Sequence, residues 1–79
     1  MPLIKVIGPY RFRFYSRGEA GEPPHIHVRR DNLEAKFWLT PSVQLARGGR
    51  FRSHELNTIL QLVEENREEF LDEWRHYFG

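Results

Sequence analysis

The stretch His25-Ile26-His27-Val28-Arg29-Arg30-Asp31-Asn32-Leu33-Glu34-Ala35-Lys36-Phe37-Trp38 decides how this chain folds. Apolar and polar side chains alternate on both sides of Asp31-Asn32, the two-residue period of a strand with one buried face. Asp and Asn both tolerate the positive φ that a two-residue type I′ hairpin requires. With these two as the central turn residues, the pairing runs from Arg30 opposite Leu33 to His25 opposite Trp38. Ile26, Val28, Ala35 and Phe37 then fall on one face. His25, His27, Arg29, Glu34, Lys36 and Trp38 fall on the other, which is expected to look away from the core.

Working outward, Tyr10 to Ser16 reads Tyr-Arg-Phe-Arg-Phe-Tyr-Ser, a second alternating strand that puts Tyr10, Phe12 and Phe14 on the core side. Arg11, Arg13 and Tyr15 extend the polar face. Before it, residues 3 to 7 are β-prone and Gly8-Pro9 punctuates; after it, Arg17 to Pro24 forms an eight-residue loop. Pro41 stops the strand that begins at Leu33, Val43 and Leu45 suggest a short further strand, and Gly48-Gly49 supplies a turn.

Ser53 is the expected N-cap of a C-terminal helix, with Glu55 in its first turn complementing the helix dipole. Leu56, Ile59, Leu60, Val63, Phe70, Leu71, Trp74 and Phe78 recur at helical spacing, an apolar stripe suited to the inner face of the sheet. The stripe thins at Asn66-Arg67. One helix bending there and two shorter helices both satisfy the pattern, and a single helix is taken as the expectation. The fold class predicted is α+β, an antiparallel sheet of four or five strands with a C-terminal helix packed on one face, in a single domain spanning residues 1–79.

Composition supports a folded chain with modest means. The 79 residues are 39% hydrophobic and include six Phe, three Tyr and two Trp, enough aromatic volume to anchor one small core. Cysteine is absent, which removes disulfides and thiolate metal sites and fits a reducing compartment, so a cytoplasmic location is expected. No apolar run approaches the roughly 18 residues of a membrane span, and no export signal is visible. The net charge of +1 conceals an asymmetry. Residues 1 to 52 hold ten Lys or Arg against four acids, or +6, while residues 53 to 79 hold two against seven, or −5. Either the halves attract each other or the basic part meets a polyanion.

Three chemistries fit the polar face. His25 and His27, two apart on a strand, project together and offer two imidazoles to one object. As a metal pair they lack a spacing signature for a third ligand, although Glu22, Asp31, Glu34 and His54 are at hand. As a general acid and base beside Arg29 or Lys36 they suit phosphodiester cleavage. Without chemistry, Arg11, Arg13, Arg29 and Lys36 suit phosphate contacts, with Trp38 or Tyr15 as a stacking surface for an unpaired base. Against all three stands a bland alternative, in which the cations keep the sheet soluble and discourage edge pairing. Gly-rich phosphate loops, Ser-His-Asp patterns and zinc-finger spacings are absent, and no cofactor is assigned.

The strings Phe12 to Ser16, Glu22-Pro23-Pro24-His25-Ile26-His27-Val28 and Ala35-Lys36-Phe37-Trp38-Leu39, followed by a helix ending in Trp74, resemble the bacterial domain of unknown function 4160 family over nearly the whole chain. The resemblance implies a small bacterial cytoplasmic protein encoded beside another small protein, an arrangement similar to toxin and antitoxin pairs, and therefore a protein partner. Its characteristic histidines correspond to His25 and His27, without a catalytic role attached. The resulting expectation is a module component that binds nucleic acid or a protein partner through Arg11, Arg13, His25, His27, Arg29, Lys36 and Trp38. The alternative is a hydrolytic or metal-binding enzyme using His25 and His27, and assembly with a second copy is left open.

Overall fold

A computed structural model describes residues 2–15 and 21–79. Five strands, β1 (Leu3–Ile7), β2 (Tyr10–Arg13), β3 (His25–Arg30), β4 (Leu33–Trp38) and β5 (Gln44–Arg47), precede two helices, α1 (Ser53–Glu65) and α2 (Arg67–Phe78). The strands form one antiparallel meander in the order β1-β2-β3-β4-β5. The α+β expectation therefore holds, with five strands of the four or five expected.

The central hairpin has the register read from the sequence, pair by pair from His25 with Trp38 to Arg30 with Leu33. Its turn differs from the expected type. Only Asp31 takes a positive φ, 56°, so one left-handed residue, rather than the two of a type I′ turn, reverses the chain. The first hairpin turns at Gly8-Pro9, where Gly8 has φ 56° and Ile7 pairs with Tyr10. Ladder pairing in β2 ends at Arg13, short of the predicted Ser16, and Ser16 with the first half of the following loop lies outside the described residues. Phe14 continues the strand's direction by donating its N–H to the Pro2 carbonyl at 3.2 Å.

Period-two alternation delivers Tyr10, Phe12, Phe14, Ile26, Val28, Ala35 and Phe37 to one face, all buried. The helices close that face with Ile59, Val63, Phe70, Leu71 and Trp74. The Phe12 and Phe70 rings lie 5.3 Å apart between centroids, and Trp74 meets Phe14 edge-on at 5.2 Å. Burying each such side chain contributes about 1.5–3 kcal/mol.

Two helical expectations need correction. Ser53 is the first helical residue and Arg52 the cap, without a side-chain hydrogen bond; the Arg52 carbonyl accepts from the N–H groups of Glu55 and Leu56. The stripe is carried by two helices, broken at Asn66 (φ −110°, ψ 12°). Asn66 turns its side-chain amide back onto the Leu62 carbonyl at 2.8 Å, satisfying a helix-end acceptor. Arg67 then anchors the start of α2 to the end of β4, donating Nε to the Leu39 carbonyl at 2.8 Å and Nη2 to the Pro41 carbonyl at 3.2 Å.

Candidate anion-binding site on the outer sheet face

Strand register collects cations on the face away from the helices. Arg11 on β2 stands directly opposite Arg29 on β3, and Arg13 stands opposite His27. With Tyr15, Pro9, Arg30 and Asp31, the three arginines line an open trough of about 710 Å³ beside the two hairpin turns. Like charges directly opposite on adjacent strands repel. Nevertheless, among the described residues Arg11, Arg13 and Arg29 form no ion pair with a carboxylate.

The two cations at either side of this trio are neutralised by the fold. Arg30 donates Nη1 to Asp31 Oδ2 at 2.9 Å and binds Glu55 of α1 through Nε and Nη2. Lys36 donates to Glu22 Oε1 at 2.6 Å and lies over the Trp38 ring, 4.6 Å from its centroid. That hydrogen bond from Lys36 holds the Glu22 carboxyl below its ordinary range. The first outcome posed by the charge asymmetry, attraction between the halves, occurs. Lys5 with Glu69 and Arg30 with Glu55 join the basic and acidic halves, while Arg11, Arg13 and Arg29 are left facing solvent in the trough.

One of the three trough guanidiniums is already held, and a second is partly buried without a partner among the described residues. Arg29 donates Nε to the Asp31 carbonyl at 2.9 Å, which leaves the fork of terminal nitrogens at the trough. Arg13 has its Nε shut off from water with no hydrogen-bond partner among the described residues. An unmet buried donor costs about 1–3 kcal/mol, so the fold holds Arg13 at an energetic cost.

The histidines are placed otherwise than expected. They lie on the face predicted for them by pairing, but they are enclosed: His25 is 0% and His27 4% exposed. His25 packs against Trp38 at 5.5 Å and against Trp74 of α2 at 5.0 Å between centroids. At the first residue of β3, therefore, face alternation no longer separates a side chain from the helical layer. The Nδ1–H of His25 donates to the Pro23 carbonyl at 2.9 Å. His27 lies beneath Tyr15, the rings stacked at 4.0 Å, and its Nδ1 is 3.6 Å from Glu34 Oε2. Tyr15 in turn donates its hydroxyl to Glu34 Oε1. Burial, and then that hydrogen bond, push the Tyr15 phenol up to about 12.

The seven binding candidates thus separate into two groups. Arg11, Arg13 and Arg29 form the trough, whereas His25, His27, Lys36 and Trp38 form a packed cluster with Tyr15, Glu22, Glu34 and Trp74. The two imidazoles meet edge-on, 5.2 Å apart. Among the described residues no three His, Asp or Glu side chains gather in a metal-holding group, so Glu22, Asp31, Glu34 and His54 do not complete a site around the pair. Enclosure also does not favour direct contact between these rings and a polymeric substrate. Tyr15 was legible as an extension of the polar face and as a stacking surface, but its role as both trough wall and lid on His27 depends on contacts no spacing reveals.

Comparison with curated proteins gives no match, and comparison with solved structures gives none. A family model described as Domain of unknown function (DUF4160) matches residues 10–75, which include β2 to β5, α1 and most of α2. The match covers every arginine of the trough and both histidines, and this chain belongs to the DUF4160 family.

Proposed function

We propose that this protein binds nucleic acid through the trough of Arg11, Arg13 and Arg29, as one component of a small bacterial, cytoplasmic two-protein module of the toxin and antitoxin kind. The observation that carries the binding reading is the cross-strand Arg11–Arg29 pair, without a carboxylate partner among the described residues, in an open cavity. A bound phosphate would remove the repulsion that the fold otherwise sustains. Solubility and edge protection account for it less well, because β2 and β3 are interior strands and the edges of the sheet are β1 and β5. The module and its setting are supported by the family resemblance and by the absence of cysteine. No helix among the described residues is long and apolar enough to cross a membrane.

The test is a salt series of binding to labelled single-stranded RNA and DNA by fluorescence anisotropy. Binding that weakens as salt rises, and that falls at least about tenfold in Arg11→Gln and Arg29→Gln, supports the reading. Flat titrations at low salt refute it. His25→Asn and His27→Gln provide the contrast with the enzyme alternative: a histidine-dependent nuclease would lose turnover in these variants, whereas trough binding is expected to change by less than about threefold.

A further inference from the structure

The cluster of unpaired cations within the trough is compact, and its spacing and charge say more about its ligand than its sign does. Arg11 and Arg13 are two residues apart on one strand, about 6–7 Å, and Arg29 faces Arg11 from the adjacent strand about 5 Å away. This is the footprint of one phosphate group rather than of a nucleic-acid backbone followed over several residues. Beyond Arg29 the same face continues as Glu34, which accepts from Tyr15, and as the Lys36–Glu22 pair. The unpaired cations of the cluster are therefore confined to β2 and β3, and the Lys36–Glu22 pair separates them from Arg47 on β5. At the turn end, Pro9 and the mutually paired Arg30 and Asp31 line the cavity.

Charge narrows the choice further. Three guanidiniums without carboxylate partners face one compact ligand, and an internal phosphodiester brings only a single negative charge. A phosphate monoester carries about −1.5 to −2 near neutral pH and three strong acceptor oxygens. The planar forks of Arg11, Arg13 and Arg29 match such oxygens in pairs. We infer that the trough is a seat for one phosphate monoester, which, resting on the nucleic-acid reading above, is the phosphorylated end of a strand. Arg29, held by the Asp31 carbonyl, and Arg11 flank the phosphate, and Arg13 binds it from the floor.

The experiment compares one short single-stranded oligonucleotide in three forms, 5′-phosphorylated, 3′-phosphorylated and hydroxyl-ended, with inorganic phosphate as competitor. One phosphorylated form is expected to bind at least about tenfold more tightly than the hydroxyl-ended form, because charge-assisted hydrogen bonds to a dianion are gained. Inorganic phosphate is expected to remove that advantage. Arg13→Lys keeps the charge but loses the fork, and is expected to abolish the end preference. Arg11→Lys, at an exposed position, serves the same purpose should Arg13→Lys disturb the fold. Equal affinity for all three forms with no effect of phosphate overturns the seat and leaves the nucleic-acid reading standing. Saturable binding of inorganic phosphate, lost in Arg13→Lys, with no binding of any oligonucleotide keeps the seat and refutes that reading.

Discussion

Arg30 and Glu55 meet at two points, the guanidinium on the last residue of β3 reaching the first turn of α1 with Nε 2.6 Å from Oε2 and Nη2 2.9 Å from Oε1. Tyr10 donates its hydroxyl to the same Oε2 at 2.7 Å, so one carboxylate ties β2, β3 and α1 together. Arg30 also lies over the Phe51 ring at 5.6 Å, which packs the connection into α1 against the sheet. The hydrogen bond from Arg30, and then that from Tyr10, hold the Glu55 carboxyl below its ordinary value of 4.5.

Acid stability should report this junction. A carboxyl with a lowered pKa in the fold binds its proton more readily in the unfolded chain, so its stabilisation is complete above about pH 4.5 and lost as pH falls through the lower folded value. Thermal unfolding from pH 7 to pH 3 is expected to show Tm falling in the acid range. Glu55→Gln should lower Tm at neutral pH and flatten that acid dependence, and a variant with the wild-type slope would remove Glu55 as its source.

The alkaline limit should involve Tyr15. Its phenol is raised from 10.0 to about 12, burial being the largest cause, so the associated stability is present below pH 10 and lost as pH rises toward 12. Phenolate absorbance in the folded protein is expected to show a late step near pH 12 from Tyr15, beside Tyr10, which burial and the Glu55 carboxylate also raise. That late step should disappear in Tyr15→Phe.

Two glycines share a left-handed φ but not a setting. At Gly8, φ 56°, an added Cβ meets nothing within 4 Å; at Gly49, φ 62°, it would fall 2.1 Å from the Glu34 carbonyl oxygen. Gly8→Ala is therefore expected to cost only the left-handed penalty, about 1–2 kcal/mol. Gly49→Ala must also push the connection before α1 off β4, and should cost several times as much by urea unfolding. Equal losses would mean that this close approach is not maintained in solution.

The Phe12–Phe70 contact bridges sheet and helices in the fully buried interior. Phe70→Ala is expected to destabilise by about 3–5 kcal/mol, a large share of the roughly 5–15 kcal/mol available to a small domain. Chemical denaturation should show a midpoint shift of that size, while Phe70→Leu retains most of the stability. A loss under about 1 kcal/mol for the alanine variant would contradict the packing described.

Much of this architecture is written in local pattern. A side-chain period of two fixes which residues share a sheet face, and a two-residue connection at Asp31-Asn32 fixes the partner of each, so the central hairpin was readable pair by pair. The same logic identified Tyr10, Phe12 and Phe14 as core and the helical stripe that covers them. It could not separate one helix from two, because the interruption is a single residue whose geometry depends on the Asn66 amide and on Arg67 reaching the end of β4.

The sequence alone determined that cations, imidazoles and an indole lie on one side of the sheet. Tertiary structure decided which of them a ligand can meet. Glu55, twenty-five residues away, neutralises Arg30; Glu22, from the preceding loop, occupies Lys36; Trp74 of α2 and Tyr15 enclose His25 and His27. The trough of Arg11, Arg13 and Arg29 is what remains after those pairings. Face assignment follows from the geometry of a single strand, whereas accessibility and charge neutralisation depend on side chains brought together from distant parts of the chain.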